Sequence, residues 1–252
     1  MRIGLIAGAA ALVVQACLAQ SLDQLSPPRI IELKGQTHHV QGIEAGKGRL
    51  WVTSVDRATQ SGYLQEFSLP AGTLVREVKL EDGDRYHPGG ISGTEDSLWI
   101  PIAEYRANST SIIERRNKRT LVVESKFSVA DHIGCVAVLN NTVIGGNWDT
   151  RDLYFWDMNG KILRKESNPT RNAFQDMKIV EGMLVGSGLL ADRSGVIDWM
   201  DLPGLKPLKR LTVGKTSRGD SFTREGMTIR GDELWLLPED SPSRLFIFRL
   251  KP

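Results

Sequence analysis

Only 2 of the 252 residues are cysteine, so no disulfide framework can carry the fold, and only 4 are histidine. Charge of one sign is also missing: 32 Lys+Arg stand against 30 Asp+Glu, and no basic run is longer than Arg115-Arg116. A phosphate-backbone partner needs a concentrated positive face, so nucleic acid is excluded as the expected ligand. HExxH, the nucleophile elbow, the P-loop and the EF-hand spacing are absent, and no stretch sustains an apolar period of 3.6. A largely helical protein is thereby excluded. At 40% hydrophobic and 25% charged residues the chain is neither disordered nor collagenous, and it is long enough to bury a large core.

One long apolar run exists, from Ile3 to Val14 behind Arg2. It falls short of the ~20 residues of a spanning helix and ends in small residues, the pattern of an export signal. Residues 1–19 are expected to be a signal peptide and 20–252 one domain. Cleavage after Cys17-Leu18-Ala19 leaves a soluble exported protein, periplasmic or extracellular. The alternative, a loose lipobox at Val14-Gln15-Ala16-Cys17, leaves a lipid anchor on Cys17. Either way Cys135 has no partner in the mature chain and reads as a small buried apolar residue.

What is there is a repeat. Five segments pass through a glycine, once an aspartate, followed by an apolar residue: His39-Val40-Gln41-Gly42-Ile43, His87-Pro88-Gly89-Gly90-Ile91, Asp131-His132-Ile133-Gly134-Cys135, Ala173-Phe174-Gln175-Asp176-Met177 and Thr223-Arg224-Glu225-Gly226-Met227. With Gly42, Gly90, Gly134, Asp176 and Gly226 as anchors the spacings are 48, 44, 42 and 50 residues, the length of a four-stranded propeller blade. Nine residues past the anchors stand Trp51, Trp99, Val143, Val185 and Trp235, and tight-turn residues lie between. A third apolar stretch follows in every unit. A fourth follows in the first four, at Leu74–Val78, Leu121–Glu124, Ile162–Arg164 and Leu208–Leu211. The last unit is one strand short, and Arg29-Ile30-Ile31-Glu32-Leu33 has the composition to supply it. The sequence therefore predicts an all-β protein, a five-bladed β-propeller whose N-terminal strand closes the last blade and leaves no long open edge.

In an antiparallel blade the start of the first strand and the end of the second share one face. That face collects all four histidines, His38, His39, His87 and His132, with Gln41, Asp131, Gln175, Asp176, Arg224 and Glu225 at the blade starts. Asp56, Glu104, Asn147, Trp148, Asp149, Glu239 and Asp240 stand where the second strands end. Imidazoles beside carboxylates suit a divalent cation or general-base chemistry near neutral pH. His with Asp and Glu fits Zn or Mn; oxygen donors alone fit Ca.

The Glu225-Gly226-Met227 start followed by Glu233-Leu234-Trp235 resembles the blade starts of the gluconolactonase and senescence-marker propellers and of secreted esterase-like propellers. The repeats as a group also resemble a family of secreted bacterial propellers with no assigned activity. The first resemblance implies Glu225 as a metal ligand and Asp176 at the position of a second acid. This chain departs from it in having five blades rather than six, and in offering Gln41-Gly42 where an Asn-Gly supplies a further ligand. The expectation is an exported propeller that binds a small polar or sugar-like ligand through His39, Gln41, Asp131, Asn147, Trp148, Gln175, Arg224 and Glu239. Glu225 and Asp176 are the expected ligands of one divalent cation, Ca or Zn. The alternatives are a lactonase or esterase using His87 and His132, and a scaffold for a protein partner. A monomer without a membrane span is expected.

Overall fold

The computed structural model describes residues 20–22 and 25–250; the expected signal peptide and Cys17 lie outside the described residues. Twenty-two strands among the described residues form five small sheets arranged in a ring, a five-bladed propeller. Helix among the described residues is confined to short 3₁₀ turns such as Trp148–Thr150. Among the described residues no helix is long and apolar enough to cross a membrane.

Blade I comprises His39–Gly46, Arg49–Asp56, Ser61–Ser68 and Thr73–Lys79, each antiparallel to the next. In blade II the inner strand is split into His87–Pro88 and Ser92–Gly93, which both pair with Ser97–Ala103; Ser111–Asn117 and Val123–Val129 complete it. Blade III runs through Ile133–Leu139, Thr142–Asn147, Asp152–Asp157 and Ile162–Ser167. Blade IV runs through Ala173–Val180, Met183–Leu189, Gly195–Met200 and Pro207–Val213, with Gln20–Ser21 added in parallel at its edge. Blade V has Glu225–Arg230, Glu233–Pro238 and Arg244–Arg249, and Arg29–Glu32 pairs antiparallel with the last of these. The N-terminal strand thus closes the ring as its β-branched composition led us to expect.

The core is divided accordingly. Five hydrophobic clusters each fill one blade-to-blade contact, for example Trp51, Leu64, Ile91, Ile100 and Ile112 between blades I and II, and Met227, Leu236, Ile197 and Trp199 between blades IV and V. Alternation along the inner three strands of a blade sends one set of side chains to each neighbouring blade, so these strands read as near-continuous apolar runs. The outer strands face solvent on one side, which is why Val75, Ile162 and Leu208 remain exposed.

The anchors are where the inner strands crowd together on the axis. A Cβ on Gly42 would stand 2.5 Å from the Gly90 Cα, and one on Gly90 would stand 2.6 Å from the Gln175 carbonyl oxygen. Blade III is the exception. Its inner strand carries the same one-residue bulge as those of blades I and IV, here at Gly134, so Cys135, which pairs with Gly146, takes the place held by Gly42 opposite Thr53 and by Asp176 opposite Ser187. The expected anchor Gly134 is the bulged residue, and the partner of Trp51 in this blade becomes Ile144 rather than Val143. Gly134 and Cys135 are neighbours, and blade spacings of 45 and 41 residues fit as well as 44 and 42, so spacing alone could not choose between them. The fourth strand expected at Leu121–Glu124 begins later, at Val123, because Leu121 turns with a φ of 60° and donates its N–H to the Asn117 carbonyl.

Asp176 fills the space that the axial glycines leave. Its Oδ2 accepts the N–H groups of Ile43 and Met227, each at 3.0 Å, and its Oδ1 accepts the Met177 N–H at 2.9 Å and the Lys178 ammonium. Lys178 also donates to the Ile91 carbonyl at 2.6 Å. One buried ion pair from blade IV therefore bonds to blades I, II and V. Burial pushes the Asp176 carboxyl up to about 6 against the opposing pull of Lys178, leaving it ionised at neutral pH. The metal-binding role expected of Asp176 does not fit this geometry: it is fully buried and both its oxygens are already occupied.

Candidate functional site

One end of the axis opens into a cavity of about 730 Å³ lined by residues of all five blades, among them His39, Gln41, His87, Trp148, Gln175 and Glu225. Local backbone irregularities aim several of these side chains. Register shifts between Val40 and Gly42 and between Phe174 and Asp176 make Gln41 and Gln175 the extra residues of two bulges. Bulges re-aim side chains in this way. Gln41 donates its amide N–H to the Val40 carbonyl at 3.0 Å, so its Oε1 accepts from His87 Nε2 at 2.9 Å. The proton therefore sits on Nε2 of His87, and Nδ1, buried and without a hydrogen-bond partner, carries a bare lone pair.

Glu225 departs furthest from ordinary backbone geometry. It is 4% exposed and has a φ of 117°, a region in which side chains with a Cβ are strained and glycine is at ease. Strain of this kind costs on the order of 1–3 kcal/mol and persists where the surrounding structure demands it, often at functional sites. Burial and then the charge of Glu239 push the Glu225 carboxyl up to about 8, against the pull of Arg224 and Arg57.

Three ligand-capable groups converge here: one atom each from His39, Glu225 and Glu239 lie within 4.8 Å of one another. His39 Nδ1 is 2.8 Å from Glu239 Oε1, and Arg224 is 2.8 Å from Glu239 Oε2, yet neither His39 Nδ1 nor Glu239 Oε2 has an aligned hydrogen bond. His39, with Arg224 and Arg57 behind it, holds the Glu239 carboxyl below its usual range. This His/Glu group could hold a metal ion.

A ladder of rings makes up the wall on the side of blades II and III. Tyr105 lies 4.2 Å from His87, His87 lies 5.4 Å from His132, and Trp148 stands edge-on to His132 at 4.5 Å. His132 donates from Nδ1 to the Arg106 carbonyl at 2.9 Å. Burial, then His132 and His39 across the cavity, hold the His87 imidazole well below the ordinary histidine range; burial does the same to His132 less strongly. Both are neutral near pH 7.

Of the residues anticipated from sequence, His39, Gln41, His87, Trp148, Gln175, Arg224 and Glu225 line the main cavity, and His132 and Asn147 line a smaller one beside it. Glu239 stands against His39. Asp131 is drawn into structure instead: its carboxylate accepts from the Tyr154 hydroxyl at 2.8 Å, from the His132 N–H at 2.8 Å and from Asn147 at 3.2 Å. His38 stacks on Tyr63 at 4.7 Å. Sequence reasoning missed Arg57, Tyr105, Arg151, Arg171 and Arg193 in the lining. Arg57 and Tyr105 follow directly on Asp56 and Glu104, so carrying the ends of the second strands one residue into the loop would have found them.

The crystal structure of Myxococcus xanthus glutaminyl cyclase superposes with a TM-score of 0.67 at 10% identity, over 90% of this chain and 97% of that one. At that identity the likeness concerns the fold. Comparison with curated proteins finds no match. Residues 30–181, more than half of the sequence, match the profile of DUF6454, a family of unknown function, and the chain belongs to that family.

Proposed function

We propose that this protein, exported from the cytoplasm, binds a small polar molecule in the axial cavity, over a divalent cation held by His39, Glu225 and Glu239. The observation that carries this reading is the strained, buried Glu225. Glycine would relieve its φ of 117°, and a neutral side chain would relieve its burial beside Glu239. A cation between Glu225, Glu239 and the imidazole of His39 offsets that desolvation and repulsion, which no group within the protein does fully. One nitrogen with carboxylate oxygens favours Zn or Mn over Ca.

Titration calorimetry with Zn²⁺, Mn²⁺ and Ca²⁺ tests the cation. The expected result is one ion per chain, tightest for Zn²⁺ or Mn²⁺, with Glu225→Gln and His39→Ala each weakening it by about tenfold or more, as lost ligands and their close partners do. Equal binding by the wild type and both variants would refute the site.

A second reading, hydrolysis of a lactone or ester, is favoured by His87, which lines the same cavity and whose neutral imidazole leaves Nδ1 without a hydrogen-bond partner. A bound cation would polarise a carbonyl, and His87 would take a proton from water. Chelator-sensitive turnover of a generic lactone, lost in His87→Gln while the cation stays bound, supports this reading; ligand-induced stabilisation without product supports binding alone. A protein scaffold is the reading that remains if neither the ion nor a small molecule binds.

A further inference from the structure

The cavity lining contains five arginines, Arg57, Arg151, Arg171, Arg193 and Arg224, no lysine, and two acids, Asp149 and Glu225. In a chain whose whole net charge is +2, that is a local concentration of positive charge. The five are not equivalent. Arg224 is paired with Glu239 at 2.8 Å and Arg151 with Asp149 at 3.4 Å, whereas Arg57 lies over the Tyr105 ring at 5.2 Å. The guanidinium groups of Arg171 and Arg193 have no hydrogen-bond or ion-pair partner among the described residues.

Both unpaired arginines come from blade IV, and their loops are fixed although their side chains are unengaged. Leu190 N–H donates to the Ser194 carbonyl at 2.9 Å and Arg193 N–H to the Leu190 carbonyl at 2.8 Å, closing the turn that carries Arg193. Asn168 accepts from the Thr170 N–H at 3.0 Å and donates to the Asn172 carbonyl at 2.9 Å, bracing the loop that carries Arg171. Leu189, Leu190 and Ala191 add an apolar strip to the lining between them in sequence, and Trp148 adds an aromatic one. A guanidinium fork matches the planar, bidentate geometry of an oxyanion, and fixing its backbone in advance reduces what ordering costs on binding.

We propose that the ligand of this cavity is a small organic anion, a carboxylate or phosphate joined to an apolar body, with the oxyanion clamped by Arg171 and Arg193 and the body against Leu190 and Trp148. This deepens the small-molecule reading above and rests on it, but it does not require the cation.

The test is calorimetry on chelator-treated, metal-free protein with four probes of similar size: 4-phenylbutyrate, phenyl phosphate, 4-phenylbutan-1-ol and 4-phenylbutylamine. At least one anion is expected to bind about tenfold or more tightly than the alcohol and the amine, and to weaken as salt is raised. The relative affinities of the carboxylate and the phosphate identify the head group. In Arg171→Gln/Arg193→Gln, which alters only exposed side chains and should unfold as the wild type does, anion affinity is expected to fall by about tenfold or more while binding of the alcohol is unchanged. The inference is overturned if neither anion binds, if the alcohol binds as well as both anions, or if the double variant keeps wild-type affinity for the anion. Anion binding in a protein that takes up no Zn²⁺ or Mn²⁺ upholds this inference while the cation reading fails alone.

Discussion

Replacing Asp176 by asparagine separates a structural acid from a catalytic one. The substitution keeps shape and removes one charge, and its cost follows from what surrounds the group. Lys178, whose side chain is 5% exposed, would be left as a buried ammonium beside a neutral amide. Removing one partner of a buried pair costs on the order of 3–5 kcal/mol. The amide NH₂ must also face either the N–H groups of Ile43 and Met227 or that of Met177 with Lys178, leaving donors opposed, for about 1–3 kcal/mol more. Against a total stability of about 5–15 kcal/mol, the variant should be marginal. Urea denaturation followed by tryptophan fluorescence is the assay. Asp176→Asn is expected to lower stability by about 4 kcal/mol or more, moving the midpoint by roughly 2 M if the slope is near 2 kcal/mol/M. Adding Lys178→Met should recover part of that loss, with an interaction energy of at least about 2 kcal/mol, because the unpaired charge is gone. If the single variant costs less than about 1 kcal/mol, or the two changes simply add, the axial ion pair is not what joins the inner strands.

Glu225 gives a pH dependence of determined sign. Its carboxyl lies near 8 in the folded protein against about 4.5 in the unfolded chain, so the folded state binds the extra proton. Its contribution is fully present below about pH 4.5 and is lost as pH rises through 8, by up to about 5 kcal/mol; Glu225→Gln should flatten that part of the metal-free stability curve. Glu225→Gly, free of the strained φ, should be at least as stable as Glu225→Gln at pH 8 by thermal unfolding, and any loss would argue against strain at this position. Gly42→Ala should cost about 3 kcal/mol or more in urea, since its Cβ meets backbone at 2.5 Å, whereas Gly134→Ala, with nothing nearer than 3.8 Å, should change stability by less than about 1 kcal/mol. The His87 imidazole should titrate by NMR only at a pH well below that of an ordinary histidine, and a normal titration would contradict its burial against Gln41.

The number of blades, the closing strand Arg29–Glu32 and the face that gathers the histidines were legible in the sequence. They depend on period, on alternation and on antiparallel geometry, all of which are properties of residue order. The axial glycines Gly42, Gly90 and Gly226 were legible for the same reason: close approach of the inner strands of three blades leaves no room for a Cβ, and that exclusion recurs at blade spacing. Tertiary structure alone decided what each polar group does there. Nothing local distinguishes Asp176, spent on three backbone N–H groups and Lys178, from Glu225, strained and turned toward the cavity beside His39 and Glu239. Which acid stays open to a ligand depends on donors delivered by other blades, tens of residues away in the chain. Arg151, Arg171 and Arg193 joined the cavity by the same route, from loops whose sequences are unremarkable singly and meet only when the ring closes.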